Sequence, residues 1–394
     1  MKIVNNLLVI LFVLSYFNSF SQDVPYQLYQ RDLEATDTKD ALFNDKMLNV
    51  FFASEIGTAF AGSNNLSLQK FYASIDASDK SLSIGFNYDS RTKNKLQRLK
   101  YIHSGNFKIK SSNKFATLFD FSEEEAFQKN NIGFTYKFSI IGRGILNFKN
   151  TDGLDRKATI KRNRAKLYKE YNTVSDNAEE LYVEMVEKEI KYIKANNLYN
   201  YQWNHWYSLE VYLPFGEKTY QVSPNITVED KEHSFWEASV SLSANTMWEF
   251  SKGYSIFLKG LFNAKNNNNL LIENLSPNVF QTLETGFNNT SVITNTENIF
   301  IADYNPFVTP SILLEPAFFV NTNFGSFGFS PSVEFNFGTY DGINWKLGVP
   351  ISLNDSEGKP KVNFEIQWKE IKTLNSNVHL IGLSTNFLFG DLIN

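Results

Sequence analysis

Four histidines, His103, His205, His233 and His379, are the side chains best suited to act as a base near neutral pH. A lipid hydrolase built on a β-strand places a serine two positions from its histidine, so that both side chains project from one face. None of the four histidines has a serine at that spacing, and the chain has no cysteine. No metal-ligand cluster or phosphate-binding loop occurs in the sequence. We therefore predict no catalytic residue, no metal site and no cofactor, and we expect that the protein is not an enzyme.

Charged residues recur instead at alternate positions of apolar segments. From Trp236 to Phe250 the even positions are almost all apolar and the odd positions almost all polar. Since successive side chains of a strand point to opposite faces, such a segment has one polar and one apolar face. The charged residues on polar faces are our candidate lumenal set: Lys137, Glu237, Glu334, Lys346, Glu365 and Lys369. The tryptophans on apolar faces are our candidate lipid-interface set: Trp236, Trp248, Trp345 and Trp368.

Alternation of this kind fits either a membrane barrel or a soluble β-sandwich, whose strands also have one buried face. Several segments run for about 11 to 17 residues, against a usual mode of about 5 or 6. Tryptophan and tyrosine cluster near the ends of these segments, where an interfacial belt would place them. The length and the position of the aromatic residues favour an apolar face that contacts lipid.

The first 21 residues have the pattern of a secretory signal peptide. Lys2 precedes an apolar run from Leu7 to Leu14, and Ser19 and Ser21 are small residues at the expected cleavage site. The run is shorter than the roughly 20 residues that span a bilayer as a helix. We predict that residues 22–46 form a periplasmic N-terminal extension and that residues 47–389 form the barrel.

The spacing of the alternating segments predicts about fourteen antiparallel strands in an up-and-down barrel, with about twelve as the runner-up. The predicted strands are 47–57, 66–76, 80–90, 114–121, 131–148, 203–214, 217–228, 235–250, 253–264, 309–321, 325–338, 342–353, 361–371 and 377–389. The three long connections, near 91–113, 149–202 and 265–308, then follow odd-numbered strands. Because bacterial barrels have short periplasmic turns and long outer loops, both termini are predicted to lie in the periplasm.

An insert at 152–200, in one of these loops, has a helical pattern. Residues 155–171 are mostly basic among their charged positions, residues 176–196 mostly acidic, and Leu181, Met185 and Tyr192 recur at helical multiples. We predict a helical hairpin in an outer loop. It forms either a solvated loop domain or a surface on which a partner docks.

The last predicted strand ends in Gly382, Phe387 and Phe389, which place a glycine before two aromatics at alternate positions. This ending resembles the C-terminal signal that barrel-assembly machinery reads, although the glycine is two residues further away and residues 391–394 follow. Together with the alternation, it makes the chain similar to the broad class of bacterial outer-membrane β-barrel proteins. That resemblance implies the outer membrane of a diderm bacterium, contact with its lipid and help from the assembly machinery during biogenesis.

The inward-facing charges suggest two functions. The first is a porin-like channel or transporter for small solutes. The alternative is a structural or interaction barrel that anchors a surface loop domain or belongs to an export or surface-attachment machine. The net charge of −4 gives no sign of nucleic-acid binding. We also predict a ladder, Glu334–Lys346–Glu365, with Glu334 opposite Lys346 and Lys346 opposite Glu365 on adjacent strands.

Overall fold

The computed structural model describes seventeen stretches of the chain. They are 69–76, 81–89, 99–110, 119–120, 125–126, 132–148, 193–195, 197, 199–224, 231–266, 278–285, 291–301, 307–322, 324–339, 341–354, 360–372 and 377–391. The strands within them are β1 (Gln69–Asp76), β2 (Ser81–Asp89), β3 (Tyr101–Lys110), β4 (Phe119–Asp120), β5 (Glu125–Ala126), β6 (Ile132–Ile141), β7 (Ile145–Phe148), β8 (Tyr199–Pro214), β9 (Lys218–Ser223), β10 (Lys231–Phe235), β11 (Ser239–Phe250), β12 (Tyr254–Asn266), β13 (Asn278–Thr285), β14 (Ser291–Ile301), β15 (Val308–Thr322), β16 (Gly325–Asn336), β17 (Gly342–Asn354), β18 (Pro360–Lys372) and β19 (Asn377–Asp391).

Twelve of these strands close into an antiparallel barrel. The order around the wall is β1, β2, β3, β6, β8, β11, β12, β15, β16, β17, β18 and β19, and β19 bonds back to β1. The short strand β7 pairs with the same edge of β8 as β6 does, beyond the last residue of β6. Closure gives every barrel strand a bonded neighbour on both sides, which removes the exposed sheet edges of an open sheet.

The structure corrects the predicted count of fourteen. Residues 101–110, which we had assigned to a long connection, form β3. Residues 114–121 contribute only the two-residue β4, and residues 217–228 contribute β9, which pairs outside the barrel. The first predicted strand, 47–57, lies outside the described residues. Because β1 is bonded directly to β19, the closed sheet takes no strand before β1.

The predicted division of long and short connections is also wrong. We call the end where β1 begins and β19 ends the terminal end, and the opposite one the loop end. Antiparallel order places the connections 111–131, 215–238 and 267–307 at the loop end, and the connection 149–198 at the terminal end. Counting 217–228 as a barrel strand inverted the direction assigned to the strands that follow it, so the connections near 149–202 and 265–308 seemed to share one side.

Two of the loop-end connections pair with each other. Their strands form a separate four-stranded sheet in the order β10, β9, β14, β13, which we call the loop sheet. Strand β14 runs parallel to β9, whereas the two hairpin pairs are antiparallel. Val222, Phe235 and Ile299 are buried, and the Tyr220 ring lies 6.0 Å from Phe235 and 5.6 Å from Phe300. The loop sheet therefore has a small apolar core of its own.

Most of the predicted helical insert lies outside the described residues. A helical turn occurs at 193–195, and β8 begins at Tyr199. Strand β7 and the start of β8 pair from Ile145 with Trp203 to Phe148 with Tyr199, beyond the point at which β6 ends. A two-stranded ribbon thus carries the connection at the terminal end of the barrel.

Candidate functional site

The outer wall of the barrel is apolar around its whole circumference. Each of the twelve strands exposes at least one large apolar side chain on the outer face. One from each strand in order is Phe71, Ile84, Phe107, Ile140, Tyr207, Leu242, Leu258, Leu314, Phe329, Val349, Ile366 and Leu383. Water-soluble monomers rarely expose a continuous apolar surface of this extent. A closed barrel also satisfies its own backbone hydrogen bonds, as a protein surrounded by hydrocarbon must.

The middle of the bore holds paired charges, which we call the charged layer: Lys137, Glu210, Lys259, Glu315, Lys346 and Glu365. Lys346 Nζ lies 2.6 Å from Glu315 Oε1 and 3.2 Å from Glu365 Oε1. Lys137 Nζ lies 2.8 Å from Glu210 Oε2, and Lys259 Nζ lies 3.9 Å from Glu315 Oε2. Three lysines face three glutamates, so the formal charges of the layer cancel.

Neutral side chains complete the hydrogen bonds of Glu365. The Ser330 hydroxyl donates to Oε1 of this carboxylate, and the Gln367 amide donates to Oε2 at 2.7 Å. The same amide nitrogen lies 3.2 Å from the Ser384 hydroxyl on β19. Only 3% of Glu365 and 8% of Lys259 is exposed. Charged groups inside a protein are tolerated when they are paired and hydrogen-bonded in this way.

On three strands that carry the charged layer, a large aromatic ring lies nearer the terminal end than the charged residue does. Trp206 precedes Glu210 on β8, Phe257 precedes Lys259 on β12, and Phe319 follows Glu315 on β15, which runs in the opposite direction. These rings and Met247 are at most 2% exposed, and the Trp206 and Phe257 rings stack at 5.8 Å. We call Trp206, Met247, Phe257 and Phe319 the aromatic layer.

Two inward-facing glycines leave space for the side chains of the charged layer and the aromatic layer. A side chain at Gly328 would meet the backbone carbonyl of Phe318 and the Phe319 ring. A side chain at Gly348 would meet the Glu365 carboxylate and the Ser330 hydroxyl. Both positions lie on the inner face of their strands, so the absence of a side chain leaves space for the opposing groups inside the barrel.

The predicted lumenal residues occupy three levels. Lys137, Lys346 and Glu365 belong to the charged layer. Glu237 is buried just before β11 at the loop end, where its carboxylate lies 3.0 Å from Lys218 Nζ and 3.1 Å from Lys265 Nζ. The remaining two, Glu334 and Lys369, are half-buried nearer the loop end than the charged layer.

The predicted ladder forms only in part. The Lys346–Glu365 contact is present, but in the observed register Glu334 lies opposite Asn344 and Lys346 lies opposite Lys369. Glu334 accepts hydrogen bonds from Ser311 at 2.9 Å and from Asn344 at 3.2 Å. The second carboxylate on Lys346 is that of Glu315, two strands away, because a lysine side chain reaches further than one strand spacing. The observed register differs from the predicted one, because alternation is unchanged when a strand slips by two residues.

The four predicted interface tryptophans lie near the ends of the barrel. Trp345 and Trp368 lie toward the loop end with ring centroids 5.1 Å apart, and His379 is 6.0 Å from Trp368. Trp236 is 41% exposed just before β11, and its indole nitrogen donates to Glu217 at 2.5 Å. Trp248 is half-buried near the terminal end of β11, between the buried Met247 and Glu249.

The histidines are spread around the molecule. His103 accepts or donates a hydrogen bond of 2.7 Å with Tyr136 on the outer wall, and His205 stacks on Trp203 at 4.6 Å. His233 lies on β10 in the loop sheet. The described residues include no group of three or more His, Cys, Asp or Glu placed to hold a metal ion. Within the same ranges, no helix is both long enough and apolar enough to cross a membrane.

Comparisons with known proteins add little beyond this geometry. No family model matches the chain, and no curated protein matches it. Among solved structures, the beta domain of the Bordetella autotransporter Brka is similar over 81% of this chain and 97% of that chain, with 7% identity and a TM-score of 0.32. The strand pairing of the chain itself closes the barrel.

Proposed function

We propose that this protein is an outer-membrane β-barrel of a diderm bacterium whose filled bore makes it an anchor and not a porin. In this proposal the barrel holds the loop sheet at the cell surface, for interaction with a partner or as part of a surface machine. The apolar outer wall supports insertion in lipid, and the signal-peptide pattern supports export. Insertion would use the barrel-assembly machinery.

The burial of inward-facing side chains is the observation that carries the proposal. An open pore leaves the side chains of its inner wall accessible to water, because water-filled space lies beside them. Here Trp206 is 1% exposed, Phe257 2% and Glu365 3%. The charged layer and the aromatic layer lie at successive heights along β8, β12 and β15, so in this proposal a solute would have to pass both. This favours the anchor over the porin-like channel.

The lengths of the connections support one orientation in the membrane. Bacterial barrels turn their longer loops outward and their short turns toward the periplasm. The loop end has three long connections, two of which form the loop sheet, while the termini of the barrel lie at the opposite end. We therefore place the loop end at the cell surface and the 149–198 connection in the periplasm, opposite to the outer-loop position predicted from the sequence.

Labelling of single cysteines in intact cells tests location and orientation together. The natural chain has no cysteine, so each introduced thiol is unique. Glu232→Cys lies on the exposed strand β10 of the loop sheet, and Lys252→Cys lies in the exposed β11–β12 turn at the terminal end. We expect a membrane-impermeant maleimide to label Glu232→Cys in intact cells and Lys252→Cys only after the outer membrane is permeabilised. Labelling of both in the soluble periplasmic fraction would overturn the proposal.

A further inference from the structure

Two prolines face each other in the middle of the barrel wall. The pairing of β15 with β16 is interrupted over three residues of each strand, 315–317 and 330–332, and we call this interruption the seam. The register on either side of the seam places Pro316 opposite Pro331 at its centre. Neither proline has a backbone N–H to donate, which explains why the two strands do not pair here. By contrast, the pairings of β11 with β12 and of β12 with β15 are continuous.

A third proline interrupts the pairing on the other edge of β16. The ladder between β16 and β17 omits Gly328 and Phe329, and its register places Pro350 opposite Gly328. Strand β16 therefore lacks regular ladder pairing on both edges at neighbouring heights. Surrounding hydrocarbon offers no hydrogen bonds in compensation. The wall is consequently weakly bonded along β16.

Side chains of the charged layer bridge the seam from inside the bore. Glu315 lies in the seam on β15, and its carboxylate lies 2.6 Å from Lys346 Nζ on β17, so this contact passes over β16. Ser330 lies in the seam on β16, and its hydroxyl donates to Glu365 on β18. Lys346 Nζ also lies 3.2 Å from Glu365 Oε1, which joins the two contacts. We call Glu315, Ser330, Lys346 and Glu365 the bridging cluster.

The bridging cluster links strands that the backbone leaves unpaired. A region with few backbone hydrogen bonds opens locally at a lower free energy than one with a continuous ladder. In the membrane the outer side of the seam faces lipid, and there Pro316 is exposed and Pro331 half-buried. The inner side of the seam meets the charged layer. A separation of β15 from β16 therefore joins the bore to the surrounding lipid.

We propose that β15 and β16 separate reversibly at the seam and that the bridging cluster holds them together in the closed state. The opening connects the bore with the lipid and not with the water on either side of the membrane, so it differs from a channel. This inference rests on the membrane barrel proposed above and adds a lateral opening to its wall.

Amide hydrogen exchange of the full-length protein, folded in detergent micelles, tests the weakness of the seam. Mass spectrometry compares β15 and β16 with β11 and β12, whose pairing is continuous. We expect amides beside the seam to exchange about tenfold faster than those of β11 and β12. Lys346→Met should widen this ratio further, because it removes the cation of the bridging cluster. Lys252→Met, in an exposed turn, should leave the ratio unchanged.

Restoring the ladder should have the opposite effect. Pro316→Ala combined with Pro331→Ala returns an N–H to each strand at the centre of the seam, so exchange there should slow toward that of β11 and β12. This variant decides the test if Lys346→Met does not fold. Pro310→Ala, which removes a proline of β15 outside the seam, is the matched control and should leave exchange at the seam unchanged.

Labelling from the lipid phase tests whether the seam opens toward the bilayer. Ser332→Cys lies in the seam opposite Lys346, and Asn245→Cys lies opposite Lys259 in the continuous ladder of β11 and β12. In lipid vesicles, a lipid-soluble maleimide should label Ser332→Cys. The two proline replacements should slow that labelling about tenfold and leave the labelling of Asn245→Cys unchanged.

Equal exchange in the two pairs of strands overturns the proposal, as does an effect of Lys346→Met that is equally large in β11 and β12. Labelling of Ser332→Cys that the proline replacements do not slow overturns it as well. Each of these failures leaves the anchor proposal standing if the same full-length protein carries no current in a bilayer. Current through the unmodified protein would instead count against the anchor itself.

Discussion

The ammonium group of Lys346 on β17 lies between two carboxylates, 2.6 Å from Glu315 on β15 and 3.2 Å from Glu365 on β18. These contacts span four neighbouring strands, β15 to β18, from inside the bore. All three side chains are largely buried, with Lys346 15% exposed and Glu365 4%. The lysine is therefore the cation that these two carboxylates share.

Replacing this lysine should be strongly destabilising. Lys346→Met would keep most of the aliphatic volume and leave the two carboxylates without their shared cation. Loss of one partner from a buried ion pair costs about 3–5 kcal/mol. We expect the free energy of unfolding in urea and detergent to fall by about that amount. Lys252→Met, in the exposed β11–β12 turn, is the control and should change it by less than about 0.5 kcal/mol.

A triple variant separates the effect of the lost charge from the effect of altered packing at Lys346. In Lys346→Met combined with Glu315→Gln and Glu365→Gln, the buried negative charges are gone as well. Part of the lost stability should return, since the neutral amides cost less to bury than unpaired carboxylates. A triple variant less stable than Lys346→Met would show that the two carboxylates have other dominant partners.

The fit of Phe319 over Gly328 can be tested with a single methyl group. Gly328→Ala brings the new side chain onto the Phe318 carbonyl, which is backbone and cannot move without shifting β15. Overpacking of this kind typically costs about 1–3 kcal/mol. Gly260→Ala on β12 is the matched control, because its nearest neighbour is a Leu314 methyl at 3.9 Å, an ordinary contact. Equal unfolding free energies for the two variants would contradict the packing described for the aromatic layer.

Period-two alternation, strand length and the placement of aromatic residues together predicted a barrel, and the errors in the predicted strands have physical causes. Strand β3 escaped detection because its outward positions include His103 and Gly105, which interrupt the apolar face. Residues 217–228 are predicted as a barrel strand, but β9 within them pairs with β10 and β14 in the loop sheet. Alternation reports that a strand has two unlike faces and contains no information about which strand lies beside it.

Parity predicts which face of a strand a residue occupies, but it does not predict which residue lies opposite on the next strand. Parity is unchanged when a strand slips by two residues, so it cannot distinguish Asn344 from Lys346 opposite Glu334. The aromatic layer was missed for a related reason. Trp206, Phe257 and Phe319 lie on inner faces, where an alternating pattern with a polar lumen leads one to expect polar residues. Buried rings at inward positions on several strands are the signal that could have indicated a filled bore.

The buried carboxylate of Glu237 should hold the loop sheet against the barrel. It contacts Lys218 at the start of β9 and Lys265 near the end of β12. Hydrogen bonds to charged groups contribute about 1.5–3 kcal/mol each. We expect Glu237→Gln to raise the rate of limited proteolysis in the 215–238 connection about tenfold while the barrel stays resistant. Glu232→Gln, on exposed β10, should leave the rate unchanged.

The fluorescence of Trp368 should report contact with lipid, and the fluorescence of Trp206 should report the exclusion of water and lipid from the bore. Trp368 is 45% exposed on the outer face, and Trp206 is 1% exposed inside the bore. In full-length variants that retain a single tryptophan, brominated lipids should quench Trp368 strongly and Trp206 weakly. Aqueous iodide should quench neither more than slightly. Strong iodide quenching of Trp206 would mean that water reaches the aromatic layer.

Single-channel recording of the purified full-length protein in a planar bilayer tests the filled bore most directly. Heat-modifiable migration of the same sample verifies that the protein is folded, so that an absence of current cannot be due to unfolded protein. We predict no stepwise current, because the charged layer and the aromatic layer close the bore at two successive heights. Regular ohmic current steps from the unmodified protein would contradict the filled bore and would support a channel function instead.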